Sequence, residues 1–272
     1  MTFRQLYILM KNMLESASDS PATEALLLLS KAGNMTKEQI LLLFEDEVPY
    51  SISEEAFKLA ESRASGIPLQ YITGKCYFYG LELSVEEGVF IPRVETEVLV
   101  DIALDIIGKN KLSTVLDIGT GSGAIALAIA LNTNCKVYAS DISKKALSTA
   151  MKNAADYAAK IEFFRGAFLT PVKHIINEIQ LIVSNPPYIP VSSKLPKDVI
   201  HEPHEALFAG NDGLDFYRQI FSEPDLLKNK ILIMEFSPDQ KEEIQKICNY
   251  FGKISFFKDQ FGKIRFFSLA VQ

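Results

Sequence analysis

Apolar positions along the first 66 residues recur at helical spacing. Phe3, Leu6, Tyr7, Met10, Met13 and Leu14 fall on one face of a helix. Ser20 followed by Pro21 reads as an N-cap with proline at the first helical position, and Gly33 as a stop. Thr36-Lys37-Glu38-Gln39 is a capping box ahead of Ile40-Leu41-Leu42-Leu43-Phe44. A further helix is expected from about Ser53 to Arg63. These apolar faces predict a small helical bundle with its own core. The pattern changes over 67–92: Leu69 to Gly74 and Cys76 to Leu83 are aromatic, β-prone and punctuated by glycine, and predict an extended or hairpin connector. A helix containing Val98, Leu99, Ile102, Ala103 and Ile106 follows. From Thr114 onward short apolar runs at 114–118, 136–140, 161–164, 180–184 and 230–236 alternate with helical patterns near 123–131, 143–158, 213–228 and 238–250. Two last strands, 254–257 and 264–269, flank a short glycine-containing turn and should pair antiparallel. The expected fold is thus α/β: a seven-stranded, mainly parallel sheet of Rossmann-like type with a C-terminal antiparallel hairpin, behind a helical N-terminal domain. We divide it at 1–74, 75–92 and 93–272. Residues 189–212 have no period and several prolines, and a loop of that length is expected to be functional.

Three sites along the sheet carry candidate chemistry. The strand 114–118 runs through Asp117 into Gly119-Thr120-Gly121-Ser122-Gly123 and then an apolar helix, the nucleotide-binding start of a doubly wound sheet. The spacing is G-x-G-x-G, without the Lys-Ser/Thr pair of a P-loop, and an acidic residue precedes it. That charge suits a ligand with a positive centre better than a pyrophosphate, and S-adenosylmethionine is such a ligand. The next strand ends in Asp141, placed to accept ribose hydroxyl hydrogens, or to act as an acid at a helix N-terminus, or both. The run Leu181-Ile182-Val183-Ser184 stops at Asn185-Pro186-Pro187-Tyr188. Alone this is compatible with a plain proline turn. With the glycine loop upstream, it is a rigid turn aiming an amide and backbone carbonyls at a planar nitrogen nucleophile.

Composition narrows the partners. The 272 residues are 48% hydrophobic and 23% charged, with a net charge of −6. The acidic balance argues against a large phosphate-tracking surface, so no stable nucleic-acid complex is expected. Cys76, Cys135 and Cys248 are scattered and read as reduced thiols of a cytoplasmic protein. No apolar run reaches a membrane span, and the N-terminus lacks a signal-peptide pattern. His201 and His204 stand in the long loop beside Glu202 and Glu205, but no third ligand is evident and no metal is expected.

The glycine loop, Asp141 and Asn185 to Tyr188 resemble class I S-adenosylmethionine-dependent methyltransferases acting on planar nitrogen. Further segments tighten the match: Pro68 to Gly74, Phe90-Ile91-Pro92-Arg93-Val94-Glu95-Thr96-Glu97, Glu202 to Leu207 and Asp259 to Arg265 resemble the peptide-chain-release-factor glutamine N5-methyltransferases. The resemblance covers nearly the whole chain. It implies transfer of a methyl group from S-adenosylmethionine, leaving S-adenosylhomocysteine, to the glutamine of a Gly-Gly-Gln tripeptide in class 1 release factors by a monomeric enzyme. It implies that Asp117, Gly119, Thr120, Gly121, Ser122, Gly123, Asp141, Phe168 and Asn185 bind cofactor. Asn185, Pro186, Pro187 and Tyr188 would hold the glutamine amide and carry catalysis, with Arg93 and Glu95 near the substrate. Three positions depart from the family pattern: Val94 replaces a usual proline, Ala167 a usual acidic partner of the adenine amino group, and Ser237 a usual glycine. The alternatives are a ribosomal-protein glutamine methyltransferase, a methyltransferase of exocyclic base amines, and an inactive nucleoside-binding sheet carrying an interaction domain.

Overall fold

The computed structural model describes residues 1–272, which form two compact units. Residues 1–75 with 195–201 make the first; 76–194 with 202–272 make the second.

The first unit is helical: α1 (Phe3–Leu14), α2 (Pro21–Gly33), α3 (Lys37–Leu42), α4 (Tyr50–Ala64) and α5 (Leu69–Thr73). Thr2 and Gln5 form a capping box on α1, as Thr36 and Gln39 do on α3. The helical stripe of α1 buries Phe3, Leu6, Met10 and Leu14 against Leu28 and Leu29 of α2 and Ala56 and Ala60 of α4. The stop after α2 is Asn34, at φ 48, rather than Gly33, which is still helical. Leu69 to Thr73 forms a helical turn, not the expected extended segment. Pro68 caps it, Gly74 ends it at φ 78, and Leu69 and Ile72 pack on the helical core, which overrides their β propensity.

A hairpin follows, β1 (Lys75–Phe78) and β2 (Leu81–Ser84), which from Cys76 on lies in the second unit. Its two-residue turn sets both Tyr79 (φ 51) and Gly80 (φ 75) left-handed. Side-chain hydrogen bonds tie the hairpin to the helices of the second unit. Tyr79 donates from its backbone N to Glu97 Oε1 (2.7 Å) and from its hydroxyl to Asp101 Oδ1 (2.8 Å), both on α6 (Glu97–Asn110). Ser84 exchanges hydrogen bonds of 2.8 and 3.0 Å with the Asn153 side chain.

The sheet follows as β3 (Thr114–Ile118), α7 (Ala124–Asn132), β4 (Lys136–Asp141), α8 (Lys144–Asp156), β5 (Ile161–Arg165), β6 (Leu181–Ser184), α9 (His204–Leu207), α10 (Asp215–Phe221), α11 (Pro224–Leu227), β7 (Ile231–Glu235), α12 (Lys241–Cys248), β8 (Gly252–Lys258) and β9 (Ile264–Val271). Strand order is β5-β4-β3-β6-β7-β9-β8. The first five are parallel, and β9 pairs antiparallel with β8, as the sequence pattern predicted, and also with β7. The expected helix over 213–228 is broken at Glu223-Pro224, since proline supplies no N–H to continue it. Leu116, Ile182, Leu232 and Phe267 run through the core beneath α10 and α12, whose Tyr217, Ile220 and Ile244 are fully buried. The chain leaves β3 toward β4 on one side and returns to β6 on the other. The carboxyl ends of β3 and β6 therefore flank a topological switch point, where such sheets bind ligands. No helix is long and apolar enough to cross a membrane.

Candidate active site

The glycine loop after β3 is held from below. Gly119 and Thr120 donate their backbone N–H groups to Ser140 O at 2.8 and 3.0 Å. Gly119, Gly121 and Gly123 all take left-handed φ (70, 57 and 84). Asp117 is fully buried, and its Oδ2 accepts from Thr120 Oγ1 (2.6 Å) and Ala126 N (3.2 Å). Burial pushes its carboxyl up to about 7, against the pull of those hydrogen bonds. Sequence reasoning set Asp117 against a cationic ligand; the structure instead places it under the loop as the anchor of its shape. Thr120 and Ser122 are also buried, and Gly119 and Gly121 are the loop residues that line the cavity above.

That cavity has a volume of about 370 Å³. Asp141 lines it at the end of β4. Its Oδ2 accepts from Gly121 N (2.9 Å) and its Oδ1 from Ser143 N (2.8 Å). Asp141 is thus both an acid at the start of α8 and a cavity residue, and a carboxylate with one partner on each oxygen keeps acceptor capacity for two more donors. Burial raises its pKa while the backbone N–H groups oppose the rise. Phe168, at φ 53, lines the apolar wall with Ala167 and packs on Phe216 at 5.4 Å between ring centroids.

Across β3 from Asp141 stands Asn185, where β6 stops. Ser184 Oγ donates to Ile118 O (2.7 Å), which locks the ends of β6 and β3 together. Asn185 and Pro187 line the cavity, while Pro186 is buried. Asn185 Nδ2 donates to Thr96 Oγ1 at 3.0 Å. Thr96 Oγ1 in turn donates to Glu235 Oε2 at 2.7 Å, and the Tyr188 hydroxyl donates to Glu235 Oε1 at 3.1 Å. Gln240 Nε2 clamps the turn by donating to Tyr188 O (2.9 Å) and Asp212 O (3.0 Å). Tyr188 therefore braces the turn through a buried carboxylate, rather than standing free in the cavity.

Arg93 and Glu95 do not line the cavity. Arg93 pairs with the buried carboxylate of Glu202, donates to Ile91 O (3.0 Å) and lies over the Phe90 ring. Glu202 also accepts from Ile91 N (3.1 Å). The segments around 90 and 202, far apart in sequence, are joined in this way, and Phe90, Pro203, Glu205 and Ala206 are carried to the cavity wall. His204 packs its ring on Phe208 at 4.4 Å.

Sequence reasoning missed the roles of Thr96, Glu235, Gln240 and Glu202. Glu235 had a readable signal: it ends an apolar strand with a carboxylate, as Asp141 does. The others are recognisable only from their partners.

Comparison with known proteins agrees with this geometry. The PrmC N-terminal domain family matches residues 5–74, and the methyltransferase small domain family matches residues 83–211. A release factor glutamine methyltransferase of Dictyoglomus turgidum is 42% identical over 225 residues, 78% of each chain. The enzyme of the same name from Moorella thermoacetica is 36% identical over 260 residues, covering 93% of this chain and 91% of its own. The chain belongs to the release factor glutamine methyltransferases. A third member, from Neisseria gonorrhoeae, is 38% identical over 90% of this chain and 92% of its own. Among solved structures, the catalytic domain of hMettl16 in complex with an RNA hairpin matches with a TM-score of 0.55 and 16% identity, over 69% of this chain and 75% of its own. The Thermus thermophilus 16S rRNA N2 G1207 methyltransferase, in complex with AdoMet and guanosine, matches at 0.50 and 16%, over 73% of this chain and 50% of its own. At that identity these two show a shared methyltransferase fold.

Proposed function

We propose that this chain methylates the side-chain amide nitrogen of the glutamine in the Gly-Gly-Gln motif of class 1 translation release factors, using S-adenosylmethionine. One observation carries the reading: a single cavity is lined by Asp141 and Phe168, which end or follow the strands on one side of β3, and by Asn185, which follows β6 on the other side, with the Asn185 amide nitrogen tied back to Thr96. Its oxygen is therefore left to face a donor.

The residues present fit the cofactor. A Cβ built on Gly119 meets nothing within 4 Å and one on Gly121 meets only Phe90 Cβ at 4.0 Å, so the loop leaves open space that side chains would fill. Asp141 would accept from the ribose hydroxyls, and Phe168 would lie against adenine. Ala167 has no side-chain acceptor for the adenine amino group, which leaves that contact to the backbone. Bound there, the cofactor supplies a methyl carbon on a sulfonium centre.

The chain's part in the reaction is positional. Asn185 Oδ1 and the Pro186 carbonyl accept the two amide hydrogens of the glutamine and hold its nitrogen in line with the methyl carbon. Positive charge builds on nitrogen as it attacks, so these acceptors bind the transition state more tightly than the ground state. The methylated nitrogen is then acidic enough to lose its proton without a strong base.

The test is incubation with tritiated S-adenosylmethionine and a purified class 1 release factor, followed by mapping of the label by mass spectrometry. We expect label on the glutamine of Gly-Gly-Gln. An unlabelled release factor, with label on a ribosomal protein or an oligonucleotide offered in parallel, would overturn the assignment.

A further inference from the structure

The Thr96 hydroxyl has one proton to give. Glu235, when ionised, can only accept, so that proton goes to Glu235 Oε2 at 2.7 Å. The lone pairs of Thr96 Oγ1 then require a donor, and the Asn185 side chain can offer only its NH2 group, at 3.0 Å. With Glu235 protonated the chain can reverse. The carboxylic acid donates to Thr96 Oγ1, the threonine proton turns to Asn185 Oδ1, and the amide flips its NH2 group into the cavity. A donor would then face the two N–H donors of the substrate.

Resting on the functional reading above, we propose that Glu235 and Thr96 are positioning residues that set the polarity of the Asn185 amide, so that an ionised Glu235 keeps the enzyme competent and its protonation switches the site off. Neither residue lines the cavity, and both act through Asn185.

The surroundings of Glu235 set the balance. Tyr188 donates to its Oε1 from the turn after β6 (3.1 Å), and Arg265 on β9 brings Nη1 to 4.0 Å of the same oxygen. Asp259 holds Arg265 in place through a 3.0 Å bond to Nε. From α10, Tyr217 donates its hydroxyl to the Glu235 backbone carbonyl (2.5 Å). Glu95, just before α6, adds a repulsive charge. Burial dominates and pushes the Glu235 carboxyl up to about 7, so the switch falls within reach of ordinary conditions.

Two readouts test the lock on the full chain. The first is steady-state methylation of release factor across the neutral pH range. Thr96→Val should lower kcat by roughly 10- to 100-fold while KM and cofactor affinity stay within about threefold, and Thr96→Ser should recover most of the lost rate. Wild type should lose kcat on the acid side, and Glu235→Gln, which cannot titrate, should lose that acid limb. Thr96→Val at wild-type kcat, or an acid limb unchanged in Glu235→Gln, would overturn the proposal. Should Thr96→Val not fold, the Glu235→Gln profile and Thr96→Ser still decide it. The second readout needs no turnover: the Asn185 side-chain NH2 resonances should titrate with pH in wild type and not in Glu235→Gln. Methylation with no such titration sinks the lock. Titration without methylation of release factor sinks the functional reading alone.

Discussion

Two glycines of the same loop should fail in opposite ways when changed to alanine. Both are left-handed, Gly119 at φ 70 and Gly123 at φ 84, so each substitution costs about 1–2 kcal/mol in backbone strain. Their surroundings differ. A Cβ on Gly119 meets nothing within 4 Å because it enters the cavity. A Cβ on Gly123 comes to 3.0 Å of Ala150 Cβ and 3.2 Å of Ala150 Cα, the backbone of α8, which cannot swing aside. Overpacking of that kind adds about 1–3 kcal/mol. Gly123→Ala should therefore lose about 2–5 kcal/mol of stability and Gly119→Ala about 1–2. With a urea slope of about 3 kcal/mol/M, the midpoints fall by roughly 0.7–1.7 M and 0.3–0.7 M. Binding reverses the order. The Gly119 methyl stands where the ligand must approach, and S-adenosylmethionine affinity should drop roughly 100-fold, about 2.7 kcal/mol. Folded Gly123→Ala should stay within about threefold. Far-UV circular dichroism in urea gives the first quantity and titration calorimetry the second. If Gly119→Ala binds cofactor like wild type, or if Gly123→Ala is the more stable of the two, the loop does not cradle the ligand as described.

Asn185→Ala should lower turnover of release factor by about 10²–10³ while cofactor affinity falls far less, and Asn185→Asp should fall between alanine and wild type; near-normal turnover by alanine would reduce Asn185 to a turn residue. A fragment starting at Cys76 should bind S-adenosylmethionine yet fail to methylate intact release factor, because the helical unit lines no part of the cavity and is free to recognise the substrate; full activity of the fragment would refute that. Starting at Cys76 keeps the hairpin that Asn153 and α6 hold. Stability should fall as pH rises from about 4 to about 7. In that window the folded state still holds the proton on Asp117, whose carboxyl burial raises to about 7, while the unfolded state has lost it. Asp117→Asn should flatten this contribution in urea titrations at several pH values, and an unchanged slope would remove Asp117 from the account.

What the chain's own pattern determined is local. Period-3.6 apolar stripes, the capping box at Thr36 to Gln39 and alternating strand and helix runs were legible because each depends on residues within a turn or two of one another. The ends of β3, β4 and β6 were legible for the same reason: Gly119 to Gly123 and Asn185 follow directly on the strands that present them, and Asp141 is the last residue of its own. Tertiary structure decided the rest. Leu69 to Thr73 became helical because a core stood ready for Leu69 and Ile72, and no local signal reports that. Asp117 and Asp141 look alike in sequence, each a carboxylate at or near a strand end. Burial made one an anchor beneath the loop and left the other on the cavity wall. The chain from Asn185 through Thr96 to Glu235 spans 89 and 139 residues of sequence in single hydrogen bonds. Such contacts exist only after β6 and β7 have paired and α6 has docked. The sequence therefore holds the groups that touch a ligand, and the packed sheet sets which way those groups face.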